Sequence, residues 1–234
     1  MAAVHALSRA VDAPDLDKAT AREWYRLMHT SRLIDDRAGI LFKQGKGWSY
    51  LATCSGHEPI QLALGKSFRP KKDYLFPYYR DLLTSLAAGI SIYEIMLNGM
   101  SRKDDVAAGG RHMSNHFAKP EIHIQNVSSC VANHALHAVG LARAIKYYKS
   151  DALVFASFGE SSASEGYVFE AFNGASRERL PVIFVIQNNK YGISVPVHEQ
   201  TANENVADNF VGLKYLHIVR CDGTDPIDSR RAMD

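Results

Sequence analysis

The sequence predicts a doubly wound α/β fold with a parallel sheet, preceded by a helical N-terminal arm. Two short apolar runs, 153–158 and 181–186, are typical of strands that are buried on both faces of a sheet. The segment between them, 163–177, has the apolar spacing of a helix. Strand, helix and strand in close succession form a βαβ unit, so the sheet should be parallel and the crossover right-handed.

The remaining elements follow from apolar periodicity and from residues that end helices. A long amphipathic helix is predicted over 15–44, and the glycines at 45 and 47 should end it. We predict further helices over 58–67, 80–88, 92–98 and 131–149, a third strand over 216–220, and a helix starting at Pro226. The polar, glycine-bearing stretch 101–120 should form an ordered loop or lid.

The length of 234 residues is enough for one large α/β domain or two small ones. We predict a tail and helical arm over residues 1–50 and one α/β domain over residues 51–234. The last predicted helix has only begun when the chain stops at Asp234. We therefore expect the α/β domain to be truncated at its C-terminal end and the natural protein to continue.

Composition excludes several classes of partner. The net charge of +2, without a cluster of Lys and Arg, argues against nucleic acid, and no apolar run is long enough for a membrane span. The three cysteines lie far apart, which suits a reducing compartment. Residues 1–20 lack the apolar core of a secretory signal and the basic character of a transit peptide, so we expect a cytoplasmic protein.

Two loops at predicted strand ends carry the chemistry, because ligands of parallel sheets gather at the carboxyl ends of strands. Gly159 lets the backbone turn sharply after the first strand, and Ser161 opens a helix whose N–H groups favour phosphate. Glu160 would repel a bare phosphate, and a divalent cation removes that conflict. Glu160, the side chain of Asn189 and the carbonyl of Tyr191 offer the hard oxygen ligands that Mg²⁺ prefers. The two loops predict a site for Mg²⁺ and a diphosphate.

These loops resemble the thiamine diphosphate motif of the transketolase and 2-oxo acid dehydrogenase superfamily. That motif is Gly-Asp-Gly, followed by Asn-Asn after roughly 25 to 30 residues. Here Glu160 stands for the aspartate and Ser161 for the second glycine. The glutamate is similar to that of alpha subunits of branched-chain 2-oxo acid dehydrogenases.

The resemblance extends over nearly the whole chain. The further matches, in chain order, are Ser55-Gly56-His57-Glu58, Tyr78-Tyr79-Arg80-Asp81, the stretch 110–117, and the stretch 128–140. The stretch 110–117 is similar to the Gly-Arg-Gln-Met-Pro-x-His segment of the branched-chain type. Collinear matches are far more specific than a single short motif.

The resemblance implies thiamine diphosphate and Mg²⁺ as cofactors. Glu160, Asn189 and the Tyr191 carbonyl would hold the metal ion. The diphosphate would be bound by Tyr79 and Arg80, and by backbone groups of Gly159 and Ser161.

The resemblance also implies roles at the other end of the cofactor. The Ser129 carbonyl would accept from the amino group of the pyrimidine ring. Val131 would support the bent cofactor and, with Tyr78, border the substrate side chain. We add His116, in the lid-like loop, as a candidate catalytic contact. Members of the family use another histidine that would lie beyond the end of this chain.

The activity implied is oxidative decarboxylation of a small 2-oxo acid, with transfer of the acyl group to a lipoyl-bearing acyltransferase. The acid that activates the cofactor comes from a beta-type subunit in this family, so the chain alone should not turn over. We expect a heterotetramer or a fused equivalent. The branched-chain type is the first choice, and pyruvate or acetoin dehydrogenase alpha subunits are the alternatives.

Other interpretations remain open, both for the whole chain and for single residues. A non-catalytic relative that has lost the cofactor is one alternative, because Ser161 departs from the motif. Arg80 and Asp81 could be an exposed ion pair at a helix start. His112 and His116, and likewise His134 and His137, have spacings that could suit zinc, but no Cys or carboxylate completes either set. A Rossmann-type enzyme is disfavoured because no Gly-x-Gly-x-x-Gly follows a strand.

Overall fold

The computed structural model of the protein describes residues 16–234. The helices are α1 (Lys18–Lys43), α2 (Glu58–Ser67), α3 (Leu82–Ala88), α4 (Ile92–Gly99), α5 (His134–Tyr147), α6 (Gly166–Glu178), α7 (Val197–Gln200) and α8 (Pro226–Met233). The strands are β1 (Tyr74–Phe76), β2 (Val154–Gly159), β3 (Val182–Gln187), β4 (Tyr191–Gly192) and β5 (Val195–Pro196). Short 3₁₀ turns lie at Pro120–Ile122, Ser161–Ser164 and Val206–Phe210.

The main sheet is parallel, with the strand order β1-β2-β3. Strands β2 and β3 are joined through α6 as the predicted βαβ unit, and they pair along their full length from Val154↔Val182 to Gly159↔Gln187. Strands β4 and β5 form a separate antiparallel hairpin. The predicted α/β architecture with a parallel sheet is confirmed.

Helices cover both faces of this sheet, as the predicted doubly wound arrangement requires. On one face Val154 and Ala156 pack against apolar residues of α5, and Phe158 packs against α6. On the other face Phe155 lies in a cluster with apolar residues of α2 and α3. Alternate residues of a strand point to opposite faces, so burial on both faces explains why the run 153–158 is continuously apolar.

The N-terminal arm is a single 26-residue helix, α1. Asp17 caps it by accepting hydrogen bonds from the backbone N–H groups of Ala19 and Thr20 at 2.8 and 2.9 Å. Its buried face, including Trp24 and Ile34, packs into the same core cluster as α2 and α3. The predicted tail, residues 1–13, and the predicted start of the helix at Asp15 lie outside the described residues.

One predicted strand is wrong. Residues 216–220 form irregular structure, and the third strand of the sheet is instead β1, which precedes the βαβ unit. The apolar side chains of Leu216 and Ile218 pack against the core beside α6, so their alternation reflects packing and not strand pairing. Strand β1 has only three residues, too few to give a periodic signal.

Helix α3 begins two residues later than predicted, at 82 instead of 80, and helices α5 and α6 begin three residues later, at 134 and 166 instead of 131 and 163. Residues 129–133 form bends and turns before α5, with Ala132 in the left-handed region (φ 57°), so the helix starts at His134 and not at residue 131. Helix α6 starts at Gly166, because Ser161–Ser164 forms a 3₁₀ turn first. The stretch 101–120 contains turns and no helix or strand until Pro120, as predicted for a loop.

The β4–β5 hairpin packs tightly against the turn that follows β2. A Cβ atom placed on Gly192 would overlap the Ser161 hydroxyl and lie 3.0 Å from the Ser161 Cβ. Glycine at position 192 therefore makes room for a side chain at position 161. This close approach fixes the hairpin against the start of the 3₁₀ turn.

His134 ties the start of α5 to β2. Its Nε2 lies 2.8 Å from the backbone oxygen of Ser157, and its Nδ1 has no hydrogen-bond partner among the described residues. The side chain is fully buried, and burial lowers the pKa of His134 to about 4. His134 is therefore neutral at pH 7, with Nε2 donating its proton to Ser157.

The contact between Gly192 and Ser161 predicts a compensating pair of substitutions. Gly192→Ala should lower the free energy of unfolding by about 1–3 kcal/mol through overpacking. Adding Ser161→Gly should recover most of that loss, as measured by urea denaturation. Gly140→Ala is the control, because nothing lies within 4 Å of the added Cβ. A double variant no more stable than Gly192→Ala alone would contradict the predicted coupling.

The buried, neutral His134 predicts that the folded chain loses stability in acid. Its pKa is about 4 in the folded chain and about 6.5 when unfolded, so between these values the unfolded state binds more protons. The free energy of unfolding should therefore fall as pH drops from 6.5 to 4, by up to about 3 kcal/mol from this group. His134→Gln should flatten the profile in that window, whereas the same change at the exposed His198 should not. Equal profiles for the parent and His134→Gln would refute this account.

Candidate functional site

The pairing of β2 with β3 brings the two predicted loops side by side. Gly159 ends β2 directly opposite Gln187, which ends β3, so Glu160 and Asn188-Asn189 leave the sheet at the same edge. The Glu160 carboxylate is 2% exposed, and its Oε2 accepts a hydrogen bond from the backbone N–H of Asn189 at 3.3 Å. Two predicted metal ligands that are distant in sequence are thus neighbours.

The loop after β3 is a compact turn. The Asn189 side-chain oxygen accepts from the backbone N–H of Tyr191 at 2.8 Å, and the Asn188 side-chain oxygen accepts from that of Lys190 at 2.8 Å. Lys190 has a left-handed backbone (φ 66°). These bonds keep the Tyr191 backbone beside Asn189, while the Tyr191 ring is exposed. Asparagine is well suited to such turns, which explains part of the Asn-Asn motif.

The surroundings of Glu160 suit a cation. Its Oε1 accepts from the Ser161 hydroxyl at 3.2 Å, and within the described residues it forms no ion pair with Lys, Arg or His. A buried carboxylate without a positive partner is costly. Residues 16–234 contain no group of three or more His, Cys, Asp or Glu placed to hold a metal. One carboxylate with an amide and a carbonyl oxygen suits Mg²⁺ that takes its other ligands from a diphosphate.

The segment Tyr78-Tyr79-Arg80 follows β1 at the same edge of the sheet. Arg80 donates from Nη1 to the backbone oxygen of Thr53 at 3.0 Å, and its guanidinium lies 5.8 Å from the centre of the Tyr79 ring. Tyr79 also packs edge-on against Tyr50 at 5.4 Å. Burial raises the pKa of both Tyr78 and Tyr79, so both hydroxyls are protonated at neutral pH.

The interpretation of Arg80 and Asp81 as an exposed ion pair is wrong. Asp81 is fully buried, and its hydrogen bonds go to Tyr78, Thr84, Ser157 and Gln187. Arg80 points to Thr53 instead. The arginine fork therefore keeps donors that no carboxylate within residues 16–234 neutralises.

A cleft beside these segments gathers most of the other predicted residues. Its lining includes Tyr78, Tyr79, His116, Ser129 and Val131 from the prediction, and also Val127, Ser128, Ala132, His134, Phe158 and Ser162. Gly159 joins the cleft to the strand end, since a Cβ there would lie 3.9 Å from the Tyr78 ring. Every site residue predicted from the sequence therefore lies in the cleft or at the adjoining strand ends.

His116 is buried at the base of the lid-like loop. Its Nε2 lies 3.0 Å from the Ser129 hydroxyl and its Nδ1 lies 3.2 Å from the backbone oxygen of Ser114. The ring stacks on His112 at 4.0 Å between centroids. Burial lowers the pKa of His116, with backbone bonds opposing and His112 adding to the effect. A neutral His116 that donates to Ser114 can accept from Ser129, so the two side chains fix each other's orientation.

Sequence reasoning missed several polar residues of the site. Ser128 and Ser162 line the cleft, and Gln187 stands at the end of β3 immediately before the asparagine pair. A glutamine that closes an otherwise apolar run was a usable signal. His134 gave none, because its burial depends on contact with β2, far away in sequence.

Known proteins match this chain over most of its length. A family model described as the dehydrogenase E1 component matches residues 25–233. The chain is 37% identical over 213 residues to the 2-oxoisovalerate dehydrogenase subunit alpha of Bacillus subtilis, covering 91% of this chain and 64% of that protein. It is 33% identical over 211 residues to the 3-methyl-2-oxobutanoate dehydrogenase subunit alpha of Mycobacterium tuberculosis, covering 90% and 54%.

A relative with a different printed substrate also matches. The pyruvate dehydrogenase E1 component subunit alpha of Bacillus subtilis is 30% identical over 220 residues, which are 92% of this chain and 54% of that protein. The chain thus spans between 54% and 64% of the length of these relatives. No helix within residues 16–234 has both the length and the apolar character that crossing a membrane would require. The chain belongs to the dehydrogenase E1 component family.

Proposed function

We propose that this chain is the alpha-type part of a 2-oxo acid dehydrogenase and that it binds the magnesium-diphosphate end of thiamine diphosphate. The observation that carries the proposal is the buried Glu160 carboxylate beside Asn189 at two paired strand ends. Arg80 lies at the same edge of the sheet with no acidic partner on its guanidinium among the described residues. A metal-bound diphosphate needs an oxygen-rich metal site next to an arginine whose charge is not paired with a carboxylate.

The residues at the strand ends would hold the metal and the diphosphate. Glu160, the Asn189 side chain and the Tyr191 carbonyl would supply oxygen ligands to Mg²⁺. The diphosphate would be bound by Arg80 and the Tyr79 hydroxyl, and by backbone groups of Gly159 and Ser161. Thiamine diphosphate, when bound, supplies the carbon nucleophile and electron sink for decarboxylation.

The cleft residues would orient the organic part of the cofactor and the substrate. The Ser129 carbonyl would accept from the pyrimidine amino group, and Val131 would support the bent conformation. Tyr78 and Val131 would border the substrate side chain. His116 would act as a neutral contact to substrate or cofactor, oriented by Ser129 and Ser114. A neutral imidazole at this place can give or take one hydrogen bond without adding charge.

A beta-type subunit would complete the site. None of the residues that line the cleft in the described part of the chain is an aspartate or glutamate, so the acid that activates the cofactor would have to come from a partner. Val131, at the cleft, and Ile193, on the adjoining hairpin, are exposed apolar residues. Ile193 also has a left-handed backbone (φ 59°), a strained state for a β-branched residue. These features suit a surface that a partner covers.

The proposed reaction is oxidative decarboxylation of a branched-chain 2-oxo acid, with transfer of the acyl group to a lipoyl-bearing acyltransferase in the cytoplasm. Relatives named for 2-oxoisovalerate and 3-methyl-2-oxobutanoate are 37% and 33% identical to this chain. The second candidate substrate is pyruvate, favoured by the relative that is 30% identical. Residues 1–50 would be the tail and helical arm, and residues 51–234 the cofactor-binding α/β domain.

Glu160→Gln should weaken magnesium-dependent binding of thiamine diphosphate by roughly tenfold or more, because the charged metal ligand is lost. Calorimetry with thiamine diphosphate and Mg²⁺, in the presence of the beta-type partner, measures this. Glu165→Gln, an exposed glutamate in the same loop, is the control and should bind like the parent chain. If the parent does not bind, the chain is a non-catalytic relative and the proposed function fails.

The purified chain alone should show no steady decarboxylation of 2-oxoisovalerate, because the activating acid is absent. With the beta-type partner, turnover should appear and should be faster with 2-oxoisovalerate than with pyruvate. Release of CO₂ from each acid, measured with and without partner, checks both statements. Steady turnover without the partner would refute the shared-site model, and a preference for pyruvate would select the second candidate.

A further inference from the structure

We propose that Asp81 is a positioning residue that locks together the three segments from which the cofactor site is built. That the site binds a cofactor rests on the proposed function. That Asp81 holds the three segments together rests on its hydrogen bonds alone.

The Asp81 carboxylate is fully buried and accepts four hydrogen bonds. Oδ2 accepts from the backbone N–H of Tyr78 at 3.0 Å and from the Ser157 hydroxyl. Oδ1 accepts from the Gln187 amide at 2.6 Å and from the Thr84 hydroxyl at 3.2 Å. Carboxylate oxygens have about four acceptor sites, so the group is fully satisfied.

Three of these donors come from the three segments of the site. Tyr78 belongs to the segment that carries Tyr79 and Arg80. Ser157 lies on β2 shortly before Glu160, and Gln187 lies on β3 shortly before Asn189. One buried carboxylate therefore sets the distance between the arginine segment and both metal-ligand loops.

Gln61 extends the network to Arg80. Its amide donates to the Gln187 side-chain oxygen and to the backbone oxygen of Arg80, both at 3.0 Å. Its own oxygen accepts from the backbone N–H of Leu83 at 3.2 Å. The backbone on both sides of Asp81 is thus tied to the end of β3, which leaves Arg80 little freedom to move relative to Asn189.

The chemistry of the contacts requires a carboxylate and not an amide. All four partners donate to Asp81, and two of them, the Tyr78 N–H and the Gln187 NH₂, cannot accept. In either orientation an asparagine would place its own NH₂ against one of these two groups and leave it unpaired. Asp81 has no cation among its partners, and burial raises its pKa while the four donors oppose that effect.

The chain supplies a matched control in Asp73. This aspartate is also fully buried, but it lies before β1, at the opposite end of the sheet. It accepts from the backbone N–H of Leu153 at 2.8 Å and of Arg69 at 3.0 Å. Unlike Asp81, it also pairs with the Arg69 guanidinium, at 2.6 and 2.7 Å. Asp73→Asn should lower stability without touching the cofactor site.

The test compares Asp81→Asn with Asp73→Asn in complex with the beta-type partner. Asp81→Asn should raise the apparent KM for thiamine diphosphate, at fixed Mg²⁺, by roughly tenfold because the binding groups are misplaced. The kcat at saturating cofactor should change far less, and calorimetry should give the same loss of affinity. Asp73→Asn should leave that KM within a factor of about two of the parent, since a lost contact far from the site acts on stability alone. Equal shifts for the two variants, or no shift for Asp81→Asn, would overturn the inference.

Two less disruptive variants test the inference if Asp81→Asn does not fold. Ser157→Ala and Thr84→Val each remove one hydroxyl donor to Asp81, and both residues are fully buried. Ser157 lies on the strand that leads to Glu160, whereas Thr84 lies on α3. Ser157→Ala should raise the KM for the cofactor more than Thr84→Val does. The reverse order, or equal effects, would count against the inference.

Hydrogen exchange separates this inference from the proposed function. In the cofactor-free protein, Asp81→Asn or Ser157→Ala should speed amide exchange in residues 78–81 and 187–191, whereas Asp73→Asn should not. Unchanged exchange would refute the positioning role whatever the ligand is. If exchange rises but the parent does not bind thiamine diphosphate, the proposed function fails and the structural role of Asp81 stands.

Discussion

The pairing register of β2 with β3 is the constraint on which the candidate site depends. Because Gly159 lies opposite Gln187, the residues that follow each strand emerge together, and the Glu160 carboxylate meets the backbone of Asn189. A slip of one residue would turn every side chain of a strand to the other face. It would turn Phe155 and Phe158 away from the helices against which they pack. The apolar core that specifies the register therefore also specifies how the proposed metal ligands lie relative to each other.

Packing on both faces of the sheet gives this edge its rigidity. On the face with α5 and α6, Phe158 packs among apolar residues with His134 edge-on beside it. The opposite face contains the polar network around Asp81. Buried polar networks specify geometry only when every member is satisfied. The Asp81 network meets that condition. Burying these polar groups costs free energy, and they lie near the carboxyl ends of the strands, where parallel sheets bind their ligands.

The features that were predicted correctly from the sequence are those that a local residue pattern determines. Runs 153–158 and 181–186 revealed β2 and β3 because strands buried on both faces are continuously apolar, and the ligand loops followed from where these runs stop. Strand β1 escaped because three residues carry no period, and 216–220 misled because its alternating side chains pack without pairing. Asp81 looked like a surface partner for Arg80, since its four donors come together only in the folded chain.

The departure at Ser161 has a physical explanation in the neighbouring hairpin. A glycine at this position would leave space beside Gly192, and the serine fills it while its hydroxyl contacts Glu160. The side chain is therefore accommodated on the hairpin side of the turn. The backbone N–H of Ser161 remains available at the start of the turn, and a motif that needs this N–H can tolerate a Cβ that points elsewhere. The side chain at position 161 thus fits because position 192, thirty-one residues later, is a glycine.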